Sequence, residues 1–538
     1  MKLSAVSSYL FHPPKREPRK FMALAQWQIM LFALSMGVFF RFYGLDHKLY
    51  WLDEVDFSMR IAGYSLAEIK EFLTGQSLVS AGFLERYQYP QPDRTLGDML
   101  NSIFLETTDQ VPIFYALARY WTQLMGNSIA VVRSASAMIS LFSFVGIYWL
   151  AQELFQSKAV SRVALLLLVV SPVHIIYAQE ARPYSLLIVS ILFSTAVLLR
   201  ALKSQSKLWW AAYSFSLIFG VYTHLIFGLV GISQGLYVLI LNRFRIRGVV
   251  LSYLASAVVA LFAFLPWLAM LISQPSGQTI NYLLSRQGSM IYRIVRVSGI
   301  LSRVVLDFGT GQVLSWQAIV LSVVPVGVVL LLFAYALYVL VKKTARAVWL
   351  LPVLLIVVPA ILLVLPNILI GTQTGTTRYM LPMMLGIQLT LAYLLATKLT
   401  TAGRTARYGW QLLLVVILSC GIFSGALRTQ TELWWDQLPH LLGDIPASST
   451  YINQAQSPLV VVDADRNVDI VITQVLAHRL SPETQLSFLL PPYPVTRQAQ
   501  FSDVFLFQPS DALRSQAQQA YGVEAEQLTD MLWELPSS

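Results

Sequence analysis

The chain has 538 residues, 56% of them hydrophobic and only 12% charged, with a mean hydropathy of +0.60. A soluble protein of this length divides into two or more domains and needs far more charge to cover them, so the composition excludes that class and points to a polytopic membrane enzyme, transporter or channel. The net charge of +10 does not mark a nucleic-acid binder, because Lys and Arg stand in short clusters between apolar runs; the partners this pattern predicts are membrane lipids, and the single cysteine, Cys420, excludes an intrachain disulfide.

In chain order, Lys2, Lys15, Arg16, Arg19 and Lys20 precede an apolar run from Met22 to Tyr43. That run is too long for a signal-peptide core and lacks a small-residue cleavage site, so it reads as a retained first span with a cytoplasmic N-terminus. His12-Pro13-Pro14 sits on the basic tail, away from any chemistry. Trp51-Leu52-Asp53-Glu54-Val55-Asp56-Phe57 then emerges on the far side with three carboxylates. It opens a first outer loop, residues 44–130. Within the loop, Phe57 to Ala62 and Leu66 to Leu73 have helical apolar spacing with charges on the other face, the pattern of interfacial helices. Val111 to Met125 is short for a span and interrupted by Arg119, and reads as a further surface or re-entrant helix ended by Gly126-Asn127.

The remaining spans are expected at 132–153, 160–178, 184–200, 208–224, 225–242, 249–272, 317–341, 348–370, 378–397 and 409–427, which with the first makes about eleven. Alternate loops are basic: Lys158 and Arg162; Arg200, Lys203 and Lys207; Arg243, Arg245 and Arg247; Lys342, Lys343 and Arg346; Lys398, Arg404 and Arg407. The opposite set holds the acidic motif, Gln179-Glu180-Ala181-Arg182, Thr223-His224, the loop 273–315 and Thr374 to Arg378. Counting the Val111 helix as a span inverts every one of these, against the positive-inside rule. Residues 430–538 alternate strand-like runs (Leu459 to Val462, Val504 to Phe507) with helix-like ones (Val468 to Leu480, Asp511 to Tyr521). This is the pattern of a small α/β domain outside the membrane, with no nucleotide fingerprint, metal spacing or nucleophile elbow. The fold class is therefore a polytopic α-helical membrane protein, with a transmembrane module at 1–429 and an α/β domain at 430–538.

Each polar candidate has two readings. Asp53 and Glu54 are either solvated acids at a helix N-terminus or a functional pair at a membrane exit. Asp56 reads as a first-turn helix acid. Glu180 and Arg182 form either an interfacial ion pair ahead of Pro183 or part of a site. Arg378 either snorkels to the interface or offers paired N–H donors to a phosphate. His224, alone at a helix end, reads as an interfacial polar residue. Arg286, Arg293, Arg296 and Arg303 lie at mostly helical spacing on an amphipathic stretch suited to anionic headgroups, with binding of a donor phosphate as the second reading.

Taken together, Leu52-Asp53-Glu54, Val111-Pro112-Ile113-Phe114-Tyr115 with Gly126-Asn127-Ser128, Ser171-Pro172-Val173-His174 leading into Tyr177-Ala178-Gln179-Glu180-Ala181-Arg182-Pro183-Tyr184, and Arg378-Tyr379-Met380-Leu381-Pro382 resemble the GT-C glycosyltransferases. The likeness is to the bacterial protein O-mannosyltransferase and aminoarabinose-transferase branch, over roughly residues 20–400. Where that family has His-Pro-Pro, this chain has Gln110-Val111-Pro112, preceded by Asp109.

The resemblance implies a GT-C-type membrane fold and a sugar donor carried on polyprenyl phosphate. It implies transfer to an acceptor hydroxyl on a protein, lipid or glycan at the outer face of a bacterial inner membrane; the C-terminal domain, which the resemblance does not cover, is expected to be extracytoplasmic from the odd number of spans. It implies Asp53 as general base with Glu54 supporting it or binding metal, and Arg378, Tyr379 and Arg182 at the donor phosphate. Glu180, Asp109, Tyr184 and His224 fall near the acceptor or a metal. No organic cofactor is implied, and a divalent metal is compatible with the acids. The rival class is a transporter or flippase of polyprenyl-linked sugars, for which internal repeats and charged or broken helices at the bilayer midplane are expected and neither is visible.

Overall fold

The computed structural model describes residues 24–273, 288–307, 316–434, 437–498 and 500–536; the basic tail with His12-Pro13-Pro14, and Arg286, lie outside the described residues. The chain forms two compact units. One comprises Met1–Leu45, Asp109–Phe114 and Arg133–Thr431, the other Asp46–Thr108, Tyr115–Val132 and Glu432–Ser538.

Among the described residues, seven helices are long and apolar enough to cross a membrane: Ile129–Phe155, Tyr184–Ser204, Val249–Ser273, Val323–Lys343, Arg346–Ile370, Thr377–Thr401 and Arg404–Thr429. The pair Lys158–Val170 and Pro172–Ala178, bent by 58°, is a broken eighth span or a re-entrant loop. The sequence reading sees no broken helix. The physical reason for the break is Pro172, which has no N–H to continue the ladder and opens the second arm as its first residue. The stretches expected at 208–224 and 225–242 are helices Lys207–Val221 and Phe227–Leu241, of 15 residues each. At 1.5 Å per residue each covers roughly 22 Å, short of a core of about 30 Å. Eleven spans therefore remain an expectation, and seven or eight is what length and composition show.

The second unit carries a six-stranded sheet in the order β1-β3-β2-β4-β6-β5. Its strands are β1 (Val79–Ser80), β2 (Pro458–Asp463), β3 (Gln485–Leu489), β4 (Asp503–Phe507), β5 (Glu526–Gln527) and β6 (Leu532–Leu535). β2 runs parallel to both β3 and β4; the helix Asn467–Ala477 is the crossover from β2 to β3, whereas Asp511–Tyr521 follows β4 on the way to the antiparallel β6. The small α/β domain is thus present. β1 belongs to the first outer loop and pairs antiparallel with β3, so loop and C-terminal segment share one sheet. The loop helices begin where their capping residues stand. Ser65 and Glu68 form a capping box for Leu66–Gly75, and Thr95 with Asp98 does the same for Leu96–Glu106.

The helix Leu52–Ala62 is buried along most of its length instead of showing a charged face to water: Glu54, Arg60 and Phe57 are all at or below 1% exposed. Arg60 is accommodated because its guanidinium meets Asp56 at 2.8 Å and Glu106 at 2.6 Å. Arg119, which interrupts the apolar helix Pro112–Met125, is buried as well and donates to the carbonyls of Ile61 and Arg94.

Candidate active site

In the first unit, the break at Ser171-Pro172 leads through Tyr177 into an irregular turn, Gln179 to Pro183, from which the helix Tyr184–Ser204 starts. The turn is held from within: Arg182 N–H donates to the Glu180 carbonyl at 2.8 Å, and Ser185 Oγ donates to the Tyr177 carbonyl at 2.9 Å. The Tyr177 and Tyr184 rings pack 4.8 Å apart. Glu180, Arg182 and Tyr184 are buried. Arg182 Nη2 reaches Gln110 Oε1 at 3.5 Å. Gln110 is the position at which the family likeness departs from His, and Asp109, half-buried, precedes it.

Arg378 and Tyr379 lie on a short 3₁₀ turn, Thr377–Met380, that leads into the helix Leu381–Thr401. The Arg378 guanidinium lies over the Tyr379 ring at 5.5 Å from its centroid, and its Nη1 reaches the Tyr184 hydroxyl at 3.5 Å. His224 stands between Tyr184 and Tyr379, with ring centroids 5.8 and 6.5 Å away. Both Arg182 and Arg378 bear electrostatically on that imidazole. His224 Nδ1 accepts from the Ile226 N–H at 3.1 Å, so the proton of the neutral ring belongs on Nε2. Five expected residues, Arg182, Tyr184, His224, Arg378 and Tyr379, are therefore brought together, although three separate stretches of chain supply them.

Arg303 joins this group, donating from Nη1 to Thr377 Oγ1 at 2.7 Å, next to Arg378. The sequence reading gives Arg303 two roles, lipid headgroups first and donor-phosphate binding second. Its place at the end of the Arg293, Arg296, Arg303 series is the one signal of it in the sequence.

In the second unit, Asp53 and Glu54 occupy the first turn of Leu52–Ala62, where the helix dipole favours carboxylates. Asp53 is half-buried and Glu54 is buried. Asp56 is committed to Arg60, which separates it from the other two. Among the described residues no group of three or more His, Cys, Asp or Glu side chains gathers as a metal-binding set.

A family model described as "Dolichyl-phosphate-mannose-protein mannosyltransferase" matches residues 109–270, which include Arg182, Tyr184 and His224. No curated protein sequence matches the chain. Among solved structures, the chain is similar to ArnT from Cupriavidus metallidurans in its apo state, with 11% identity and a TM-score of 0.54 over 95% of this chain and 98% of that one. It is also similar to the same protein bound to undecaprenyl phosphate, with 13% identity and a TM-score of 0.51 over the same shares, 95% and 98%. An Archaeoglobus fulgidus oligosaccharyltransferase in the apo form aligns at 11% identity and a TM-score of 0.48, over 87% of this chain and 65% of that one. The expected resemblance to the GT-C glycosyltransferases holds at the level of the fold.

Proposed function

We propose that this chain is a GT-C-type membrane glycosyltransferase that moves a sugar from a polyprenyl-phosphate donor to an acceptor hydroxyl at the outer face of the membrane. The observation that carries this reading is the meeting of two guanidinium groups, Arg182 and Arg378, with Tyr184, Tyr379 and His224, in a chain with the ArnT fold. Guanidinium is the group best matched to a phosphate, because its planar fork presents parallel N–H donors. Aromatic side chains around it shape a semi-apolar floor for the sugar and the first isoprene units.

The chemistry then divides as follows. The acceptor hydroxyl has a pKa far above neutral and needs a base, and Asp53 takes its proton. The acceptor oxygen bonds to the anomeric carbon as the bond from that carbon to the phosphate oxygen breaks. Polyprenyl phosphate leaves as an anion and needs no acid, so one carboxylate suffices where hydrolysis of an ordinary glycoside uses two. Glu54 supports Asp53 on the same helical turn, and Glu180 and Asp109 lie on the acceptor side.

The test is Asp53→Asn, which keeps size and one acceptor but removes basicity. Purified protein in nanodiscs is given a panel of undecaprenyl-phosphate sugars. Turnover should fall about 10²–10⁴-fold while binding of undecaprenyl phosphate stays near wild type. Product formed at the wild-type rate sinks the assignment of Asp53 and moves it to Glu54, then Glu180. Transport of the lipid-linked sugar across the bilayer by wild-type protein, with no product from any donor, sinks glycosyl transfer itself in favour of a flippase.

A further inference from the structure

Two helix ends in the first unit cap each other. The first helix, Leu24–Phe42, ends with carbonyls that have no partner further along it, and so does the first arm of the broken helix, Lys158–Val170. In a continuous helix the Val169 carbonyl would accept from residue 173, but the chain turns by 58° at Ser171-Pro172. Arg41, fully buried in the last turn of the first helix, supplies the missing donor: its Nη1 reaches the Val169 carbonyl at 2.8 Å and the Gly37 carbonyl at 2.7 Å. The return contact comes from Gln179, 2% exposed, just beyond the second arm. Its Nε2 donates to the Phe40 carbonyl at 2.7 Å and to the Tyr43 carbonyl at 2.8 Å.

The backbones are close enough for this because glycines line the contact. A Cβ on Gly37 would stand 2.6 Å from the Val169 carbonyl oxygen, and one on Gly421 would collide with the Val170 carbonyl oxygen. Val169 lies in a buried apolar cluster with Ala33, Val170 and Leu418, where an unsatisfied polar group costs several kcal/mol, a magnitude typical of apolar surroundings; the Gln179 bond to the Phe40 carbonyl is buried as well, and the one to the Tyr43 carbonyl is part-buried.

The chain leaving Tyr43 reaches Asp53 at its tenth residue, and the chain holding Gln179 reaches Glu180 at the next residue and Arg182 two after that. We infer that Arg41 and Gln179 are positioning residues for transfer: their reciprocal caps lock the exit of the first helix to the segment that carries Glu180 and Arg182. Neither residue touches the reacting atoms. Each acts by holding the backbone from which the reacting groups are hung, and a misplacement of about 1 Å in such a scaffold costs on the order of 10²-fold in rate. This inference rests on the glycosyl-transfer reading above.

The experiment uses full-length protein in nanodiscs with Gln179→Met, which keeps volume and loses both donors, and Arg41→Lys, which keeps charge and loses the fork. Three quantities are read: thermal midpoint, undecaprenyl phosphate affinity, and kcat with KM for the donor that the panel identifies. Gln179→Met should lower kcat about 10- to 100-fold, with KM and undecaprenyl phosphate affinity within about threefold and the thermal midpoint little changed. Arg41→Lys should retain part of the lost rate, and the double variant should fall short of the product of the two single effects, because both act on one interface. Wild-type kcat in Gln179→Met overturns the inference, and so does a rate loss that only follows a fall in thermal midpoint. Absence of turnover by wild-type protein on every donor removes the glycosyl-transfer reading and this inference with it, an outcome distinct from failure of the caps in an active enzyme.

Discussion

Replacing Arg378 by Ala separates a phosphate-binding guanidinium from one that merely reaches for the interface. Two of the contacts that Arg378 makes within the protein are weak. The Arg378–Tyr184 contact, at 3.5 Å, is at the outer limit of a hydrogen bond, and stacking on Tyr379 at 5.5 Å is worth about 0.5–1 kcal/mol at a partly exposed site. What the donor loses is larger, because hydrogen bonds to a charged group contribute about 1.5–3 kcal/mol. Undecaprenyl phosphate affinity should therefore fall about 10- to 150-fold while the thermal midpoint shifts little. Charge builds on the phosphate as the anomeric bond breaks, so kcat should fall as well as affinity. Arg378→Lys should recover only part, because an ammonium is a point charge without the planar fork. The assay is titration of undecaprenyl phosphate into nanodisc-embedded protein, read by tryptophan fluorescence or native mass spectrometry. Affinity within threefold of wild type in Arg378→Ala would refute the reasoning and return Arg378 to an interfacial role.

Three further outcomes are expected. Ser77 and Ser515 are exposed on the unit that shares one sheet, so cysteines at both, in a Cys420→Ala background, should react with an impermeant thiol reagent from the same side; labelling of one alone breaks the topology. Arg60→Ala should lower stability by about 3 kcal/mol, the low end for breaking a buried ion pair, because Asp56 and Glu106 keep 26% and 23% exposure. An unchanged denaturation midpoint in that variant counts against the network. Burial pushes Glu68 up, but the Ser65 N–H and hydroxyl and the Arg94 guanidinium outweigh it and hold its pKa below the ordinary value; the Thr95 N–H and hydroxyl likewise hold Asp98 down. Carboxyls depressed in the folded state stabilise it above their unfolded pKa, about 4.3 for Glu and 3.9 for Asp, and lose this as pH falls through the folded values. Proteolysis of residues 65–106 should thus be steady between about pH 7 and 5 and rise below about 4; a rise already above 5 would argue against the caps.

The parts legible in the sequence are those written as local pattern. Long apolar runs become helices near their expected bounds, and the strands at Leu459 and Val504 follow from short β-branched and aromatic runs. The pieces of the Arg182, Tyr184, His224 and Arg378 cluster are readable one by one as polar residues at helix ends. What brings them together is not, since the contacts join positions far apart in the chain: Arg41 meets a carbonyl 128 residues away. Amphipathic spacing also misleads for Leu52–Ala62, because periodicity records that one face is apolar and not that the charged face has found partners such as Glu106.

The least legible element, the two-residue strand Val79–Ser80, carries the strongest constraint on topology. It is too short to show any period, yet it pairs with Gln485 and Leu486 in one sheet. A bilayer cannot pass through a hydrogen-bonded sheet of a water-exposed unit, so the first outer loop and residues 432–538 lie on the same side, and the crossings between them must be even in number. The seven long helices, all of which follow the loop, are odd alone and become eight with the broken pair. Counting Lys207–Val221 and Phe227–Leu241 as one hairpin adds two or none and leaves the parity unchanged. Among the described residues, counting the bent segment Lys158–Ala178 as one span gives the even number that the shared sheet requires, whereas a re-entrant reading of the same segment leaves it odd.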